Sequence, residues 1–331
     1  MNRFEWAEAR SVPQAIELSA SDDAVLKAGG VDLLDLMKER IAEPKRVVNI
    51  RNIKGLDQIS DAPDGGLILG PLVTLAQISD SQVIRQRYPA LAEAAVAAAT
   101  PQIRNMATLG GNLAQRPRCW YFRNEEFLCR KKGGQHCFAQ DGENQFHAIF
   151  DNRTCAIVHP SGAAIPLVAY GAQLELTSAK GARPLALEQF FTPPEQDVMR
   201  ENILQPGEVI TAIKLPALSG NTRSAYHKEM EKQSFDWPIA DVAVVLDLNG
   251  STINKANVIL GAAAPTPHRA KEAEARLAGQ AVSEQLATAA AKAAVANATP
   301  LAKNGYKVPV FEAVVRRTIL RAAGLEQKVM S

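Results

Sequence analysis

Several things are scarce or missing in this chain. It has no G-x-G-x-x-G and no G-x-x-x-x-G-K-[ST], which removes a standard Rossmann dinucleotide site and a P-loop. It has no C-x-x-C, which disfavours a zinc finger, a rubredoxin-like knuckle and a thioredoxin-like dithiol. There are only 4 cysteines in 331 residues, far from a disulfide-stapled scaffold. The charge is nearly balanced, with 37 basic against 35 acidic residues, and gives no reason to expect nucleic acid or an anionic membrane as partner. No apolar run approaches the length of a membrane span, and the first residues, MNRFEWAEARSV, lack the basic and apolar regions of a secretory signal. The expected location is cytoplasmic or periplasmic, the latter by export as the passenger of another subunit. The five histidines (136, 147, 159, 227 and 268) have no triad spacing and no H-E-x-x-H, so they read as ordinary polar or capping residues.

What is present suggests two domains, since a single core rarely grows beyond about 250–300 residues. Short strands and helices mix along the chain. Strands are expected at 24–28, 46–50, 67–70, 164–177 and 209–215, and helices at 14–20, 31–40 and 87–100. Residues 101–118 are too rich in Gly, Asn and Arg to be one regular element. Pro, Gly, Ser and Asn cluster at 216–224, a plausible boundary. Beyond it the pattern predicts strands at 240–248 and 256–260, then helices near 269–278, 283–298 and 309–323.

Two glycine turns stand out, Ala28-Gly29-Gly30-Val31-Asp32 and Thr108-Leu109-Gly110-Gly111-Asn112. Paired glycines let a backbone approach a ligand closely and can turn successive N–H groups into an anion nest. A helix starting after such a turn would favour a pyrophosphate. Each turn could equally serve the fold alone. The second is crowded with Arg104, Asn105, Thr108 and Asn112, unusual for a plain connector.

The four cysteines, Cys119, Cys129, Cys137 and Cys155, all lie in one 37-residue window, Cys119 to Cys155 inclusive. Around them run Arg116, Arg118, Arg123, Arg130, Lys131 and Lys132. Nearby cations are expected to lower thiol pKa values and to offset thiolate charge at a metal centre. Zinc, an iron–sulfur cluster or two disulfides all remain open on composition, with His136 and His159 read as structural or supporting neighbours rather than ligands.

These pieces also carry a resemblance. The stretches KAGGVDLLDLMK (27–38), GPLVTLAQIS (70–79), QIRNMATLGGNLAQRPRC (102–119), IVHPSGAAIPLVAYGAQLEL (157–176), PGEVITAIKLP (206–216), YHKEMEKQSFDWPIADVAVVLDLNG (226–250) and LGAAAPTPHRAKEAEARLAG (260–279) occur in order over nearly the whole chain. Together they are similar to the FAD-binding medium subunit of the xanthine dehydrogenase / molybdenum hydroxylase family, above all its periplasmic aldehyde oxidoreductase branch. The resemblance implies an α+β fold. A two-part FAD-binding domain of the PCMH / vanillyl-alcohol-oxidase type would span 1–218, with a [4Fe-4S] insert at about 115–156. A smaller α+β domain of the CO-dehydrogenase flavoprotein type would span 224–325.

It further implies that Lys27, Ala28, Gly29, Gly30, Val31, Asp32, Leu33 and Leu34 wrap the FAD pyrophosphate. Ala107, Thr108, Gly110, Gly111 and Asn112 would form a second FAD contact, and Lys228 would approach the flavin. Cys119, Cys129, Cys137 and Cys155 would be the cluster ligands. Val31 stands where the family loop has Thr, and Gly162 where His-Pro-Ser is followed by Asp. The implied role is electron transfer, with no catalytic side chain of its own. Two [2Fe-2S] clusters of a small subunit would feed FAD, and a large subunit with molybdopterin cytosine dinucleotide would oxidise the substrate. Alternatives are a flavin subunit of a 4-hydroxybenzoyl-CoA-reductase-like enzyme and a zinc-stabilised binding subunit.

Overall fold

A computed structural model describes residues 1–232 and 235–325; Gln233 and Ser234 of the 226–250 motif lie outside the described residues. The chain forms two compact units of interleaved segments: Met1–Ile78, Ala99–Phe138 and Gly171–Ala217 in the first, and Ser79–Ala98, Ala139–Tyr170 and Leu218–Ser331 in the second.

The first unit holds two sheets. In a three-stranded parallel sheet, Arg46–Asn49 lies between Glu5–Glu8 and Ala24–Lys27, with Arg46 opposite both Glu5 and Ala24. Ser11 caps the connecting helix Val12–Leu18 through its side chain, with a proline in the first turn. That helix buries Ala15 and Ile16 against Val48, Ile50 and Ile53. An antiparallel sheet follows in the order Ile59–Asp61, Leu67–Leu69, Val209–Leu215, Gln173–Ser178 and Gly181–Ala186. Its outer strand carries Pro184, which an edge tolerates because one side of the strand needs no ladder donor. That proline hides the strand from pattern reading.

The second unit is a four-stranded antiparallel sheet, in the order His268–Arg269, Thr252–Gly261, Ala240–Asn249 and Thr222–Glu229. Val242, Val244 and Leu246 point to one face and join a core with Ala287, Ala291, Phe311, Val314 and Ile319. Those partners come from the helices Glu284–Val295 and Lys307–Ala322. The opposite face packs on the helices Pro89–Ala97 and Ala164–Tyr170.

Ala164–Tyr170 corrects an expectation. Residues 164–177 read as strand, whereas IPLVAY is helical and wholly buried, and the strand begins only at Gln173. A short continuous apolar run has no periodicity to separate buried helix from buried strand, so packing decided it.

Candidate functional site

The first glycine turn leaves the carboxyl end of a parallel strand, where open α/β sheets commonly place ligands. Gly30 adopts φ +77°, a left-handed conformation that suits glycine, and starts the helix Val31–Lys38 without any capping side chain. The first amides of that helix are therefore left to a ligand or to water. A Cβ at Gly29 would lie 1.9 Å from the carbonyl oxygen of Met106, so only glycine permits this approach.

Met106 immediately precedes the 107–112 segment that carries the second turn, so two segments that sequence alone left separate meet at Met106 and Ala107. Ala107 accepts a hydrogen bond from the Leu75 amide at 2.9 Å, and the Gly110 amide donates to Pro71 at 2.8 Å. Thr108 caps the helix Leu109–Leu113 by accepting from the Gly111 amide at 3.3 Å. Gly110 and Gly111 thus lie inside a short helix rather than ahead of one, which departs from the expected turn-then-helix order. The first turn keeps that order.

Of the other expected contacts, Lys27 lies over the Trp6 ring at 5.5 Å and donates to Asn49 at 3.4 Å. Burial, with Arg51 nearby, pulls its pKa down. Ala28 packs on the core of the parallel sheet. Val31 and Leu34 are exposed, Leu33 is half-buried, and Asn112 hydrogen-bonds through its amide to Thr108. A close-approach glycine beside an uncapped helix start fits the diphosphate of a dinucleotide.

Asp32 is differently engaged. Its Oδ1 accepts from Arg118 at 2.5 Å and Arg123 at 2.7 Å, and its Oδ2 accepts from the Arg116 amide at 2.8 Å. Arg123 also reaches Asp35 at 2.9 Å. Arg116 pairs with Glu201 at 2.8 Å, as does the fully buried Lys131. Beneath these pairs, Leu36 packs with Phe122 and Cys129, and Cys119 lies against the same cluster.

These partners reverse the expectation for Cys119. Nearby cations lower a thiol pKa only if they face it, but Arg116, Arg118, Arg123 and Lys131 face carboxylates. Burial pushes Cys119 up to about 12, and the charges Cys137 and Cys129 would carry add to that. All four cysteines are thiols, which removes the disulfide alternative. Cys119, Cys129 and Cys137 belong to the first unit, and Cys155 to the second. Among the described residues no group of three or more His, Cys, Asp or Glu is arranged to hold a metal ion. Thiols are nevertheless the donors an iron–sulfur cluster requires.

In the second unit, the Lys228 ammonium donates to the carbonyls of Ala97 at 3.0 Å and Asp236 at 2.5 Å, and burial lowers its pKa. A Cβ at Gly162 would meet the Tyr226 hydroxyl at 3.3 Å. That hydroxyl donates to Asp241 at 2.9 Å. Asp241 is a feature sequence reading missed, a buried acid near the start of the apolar strand ADVAVVLDL, whose other acid, Asp247, is half-buried near its far end. Burial pushes its pKa up to about 6. His159 is buried and falls to about 3, and His147 to about 4, both from desolvation. His268 stacks on Phe150 at 4.0 Å and His227 neighbours Glu229 at 3.3 Å. The histidines form no joint site with the thiols among the described residues.

Paired glycine turns beside a parallel sheet fit a dinucleotide, and with the sheet-and-helix second unit they make an α+β chain. Residues 2–218 match the family described as the FAD-binding domain in molybdopterin dehydrogenase, and 225–322 match the CO dehydrogenase flavoprotein C-terminal domain. The chain belongs to this molybdenum hydroxylase flavoprotein family and is an FAD-binding oxidoreductase subunit of that type. It is 34% identical over 284 residues to the aldehyde oxidoreductase FAD-binding subunit PaoB of Escherichia coli, covering 85% of this chain and 86% of that one. It is 28% identical to the carbon monoxide dehydrogenase medium chain of Hydrogenophaga pseudoflava, covering 96% of each. Carbon monoxide dehydrogenase from that organism, solved in a form lacking the Mo-pyranopterin moiety, superposes with a TM-score of 0.76 at 29% identity over 98% of both chains. Reconstituted CO dehydrogenase from Oligotropha carboxidovorans gives 0.77 at 26% identity, over 98% of this chain and 99% of that one. Among the described residues no helix is long and apolar enough to cross a membrane.

Proposed function

We propose that this chain is the electron-transfer flavoprotein subunit of a molybdenum-dependent aldehyde oxidoreductase. The observation that carries the proposal is the meeting of the two glycine-bearing segments at Met106, which leaves no room for a side chain at Gly29. The aldehyde branch is supported by the 34% identity to PaoB together with the cysteine quartet. Residues 27–34 and 107–112 would hold FAD, in a FAD-binding domain spanning 1–218, and Lys228 would approach the flavin from a C-terminal domain at 224–325. FAD, when bound, supplies the exchange between one-electron and two-electron transfer. The chain's own residues bind the dinucleotide and hold it in place. No acid–base side chain of this chain is required.

Cys119, Cys129, Cys137 and Cys155 would ligate a [4Fe-4S] cluster. Partners would be a small subunit with two [2Fe-2S] clusters and a large subunit with molybdopterin cytosine dinucleotide. Electrons would leave to an external acceptor.

The test is co-purification of the complex, followed by its absorbance spectrum, cofactor extraction, metal analysis and assay with aromatic aldehydes. Expected are bands at about 450 nm from flavin with a broad iron–sulfur shoulder, FAD in the extract, and iron that falls in Cys129→Ser. A colourless, zinc-containing preparation would overturn the proposal, and FMN in the extract would overturn the glycine-turn assignment. Reduction of an aromatic CoA thioester in place of aldehyde oxidation would move the chain to the 4-hydroxybenzoyl-CoA-reductase-like class.

A further inference from the structure

We propose that Asp32 is a positioning residue that joins the nucleotide turn to the cysteine loop, so that FAD occupancy and the order of residues 116–132 rise and fall together. The inference rests on FAD being held at the Gly29–Gly30 turn, as proposed above.

Asp32 sits in the first turn of the Val31–Lys38 helix, two residues past Gly30. Its side chain is only 15% exposed, and its two oxygens already accept three hydrogen bonds from the chain. Those donors, Arg116, Arg118 and Arg123, bracket Cys119. Asp35 and Leu36 lie three and four residues on, hence on the same helix face. Asp35 takes the other arm of Arg123, and Leu36 packs with Phe122, Cys119 and Cys129. Arg116 lies over the Phe122 ring at 4.6 Å. One helix therefore presents its uncapped start to the dinucleotide and its flank, through ionic and apolar contacts, to the cysteine loop. A ligand that orders the first helical turn orders the loop through the same carboxylate, because the conformational entropy of the joined segments is lost once.

Positioning and direct electrostatics predict opposite outcomes. An acid beside a diphosphate repels it, so Asp32→Asn would tighten FAD if charge alone mattered, leaving Arg118 and Arg123 uncompensated. If Asp32 positions, the same change weakens FAD.

The experiment titrates FAD into the full-length, flavin-depleted chain and follows amide hydrogen exchange with and without FAD. In the wild type FAD should slow exchange at both 27–34 and 116–132. In Asp32→Asn, FAD binding should weaken about tenfold, a typical size for one coupled contact, and protection at 116–132 should vanish. Exchange in the Val209–Leu215 strand should stay unchanged. Asp32→Glu should restore part of the effect. Arg123→Gln should copy Asp32→Asn, and the double variant should be no weaker than either single one. Should Asp32→Asn fail to fold, Arg123→Lys, which keeps the charge but loses the fork, makes the same comparison from the partner side. Tighter or unchanged FAD binding in the variants overturns the inference. So does weakened FAD that still protects 116–132, or additive losses in the double variant. A wild-type chain that takes up no FAD overturns the underlying proposal and this one with it.

Discussion

Two carboxylates, one in each unit, leave solvent by different means. Asp32 is met by two guanidiniums and an amide, so its surroundings are rich in positive donors. Asp241 is 2% exposed and accepts from Tyr226, while its Oδ1 has no hydrogen-bond partner. The nearby Lys307 is fully buried and is held by the carbonyls of Ala262 at 2.6 Å and His147 at 3.1 Å, with burial lowering its pKa to about 7. The first arrangement ties a helix to a loop by charge, above a small apolar cluster. The second sits inside a continuous apolar core, where low polarity pushes ionisable groups toward neutrality. It follows that the two regions should respond in opposite ways to the same perturbation.

Acid should separate them most. His147 and His159 have folded values of about 4 and about 3 against 6.5 for the free group, so the unfolded chain binds protons first as pH falls. Stability is then full above about 6.5 and is lost as pH drops toward 3, by about 3 kcal/mol or more per histidine. Asp241 runs the other way, since its raised value favours the folded state as pH falls from 6 toward 3.8. Hydrogen exchange at descending pH should show the second unit losing protection, with a shallower slope in His159→Gln. Protection lost first in the 27–38 segment would break the comparison.

Gly29→Ala comes next. The new Cβ would collide with backbone at 1.9 Å, so the turn must move, at a cost of about 3 kcal/mol and with loss of bound FAD. Retained flavin absorbance would show that the segments need not meet.

The paired substitutions Asp32→Asn and Asp241→Asn sharpen the contrast most directly. The first removes the partner of two largely buried guanidiniums and should destabilise by about 2 kcal/mol. The second removes a carboxylate whose value rises from 3.8 to about 6, a burden of about 3 kcal/mol above that range. An amide N–H left without an acceptor there would offset about 2 of this, leaving a gain of about 1 kcal/mol at pH 8. Urea unfolding at that pH should show shifts of opposite sign. Smallest is Arg183→Gln, at the exposed pair with Glu208 (2.9 Å), which should change stability by less than about 1 kcal/mol.

The candidate residues were legible in sequence as local patterns: Gly29-Gly30 ahead of a helix-forming run, Gly110-Gly111 amid Arg104, Asn105, Thr108 and Asn112, and four cysteines in one window, whereas pairing alone marks Gly65-Gly66 and Gly133-Gly134 as well. The environment of those residues was not legible. Arg116, Arg118 and Arg123 lie close to Cys119 in the chain, yet their partners Asp32, Asp35 and Glu201 lie more than 80 positions away. Asp241 could not be singled out either, since an acid in a strand, like Asp247 further along the same one, reads as a solvent-facing position until both sheet faces are seen to be covered. The helix at Ala164–Tyr170 went unrecognised because uniform burial erases the periodicity on which such readings depend.

The sequence by itself determined what local chemistry can specify: where backbones turn, where helices cap, which residues can offer thiols, and membership in a flavoprotein family through motifs in fixed order. The tertiary structure decided what depends on distant partners. It brought the two glycine-bearing segments together, turned the arginines from thiol neighbours into carboxylate clasps, and interleaved the chain into two units. The reason is that pKa values, close approaches and ion pairs are set by whatever shares a few ångströms, and chain order does not encode that distance.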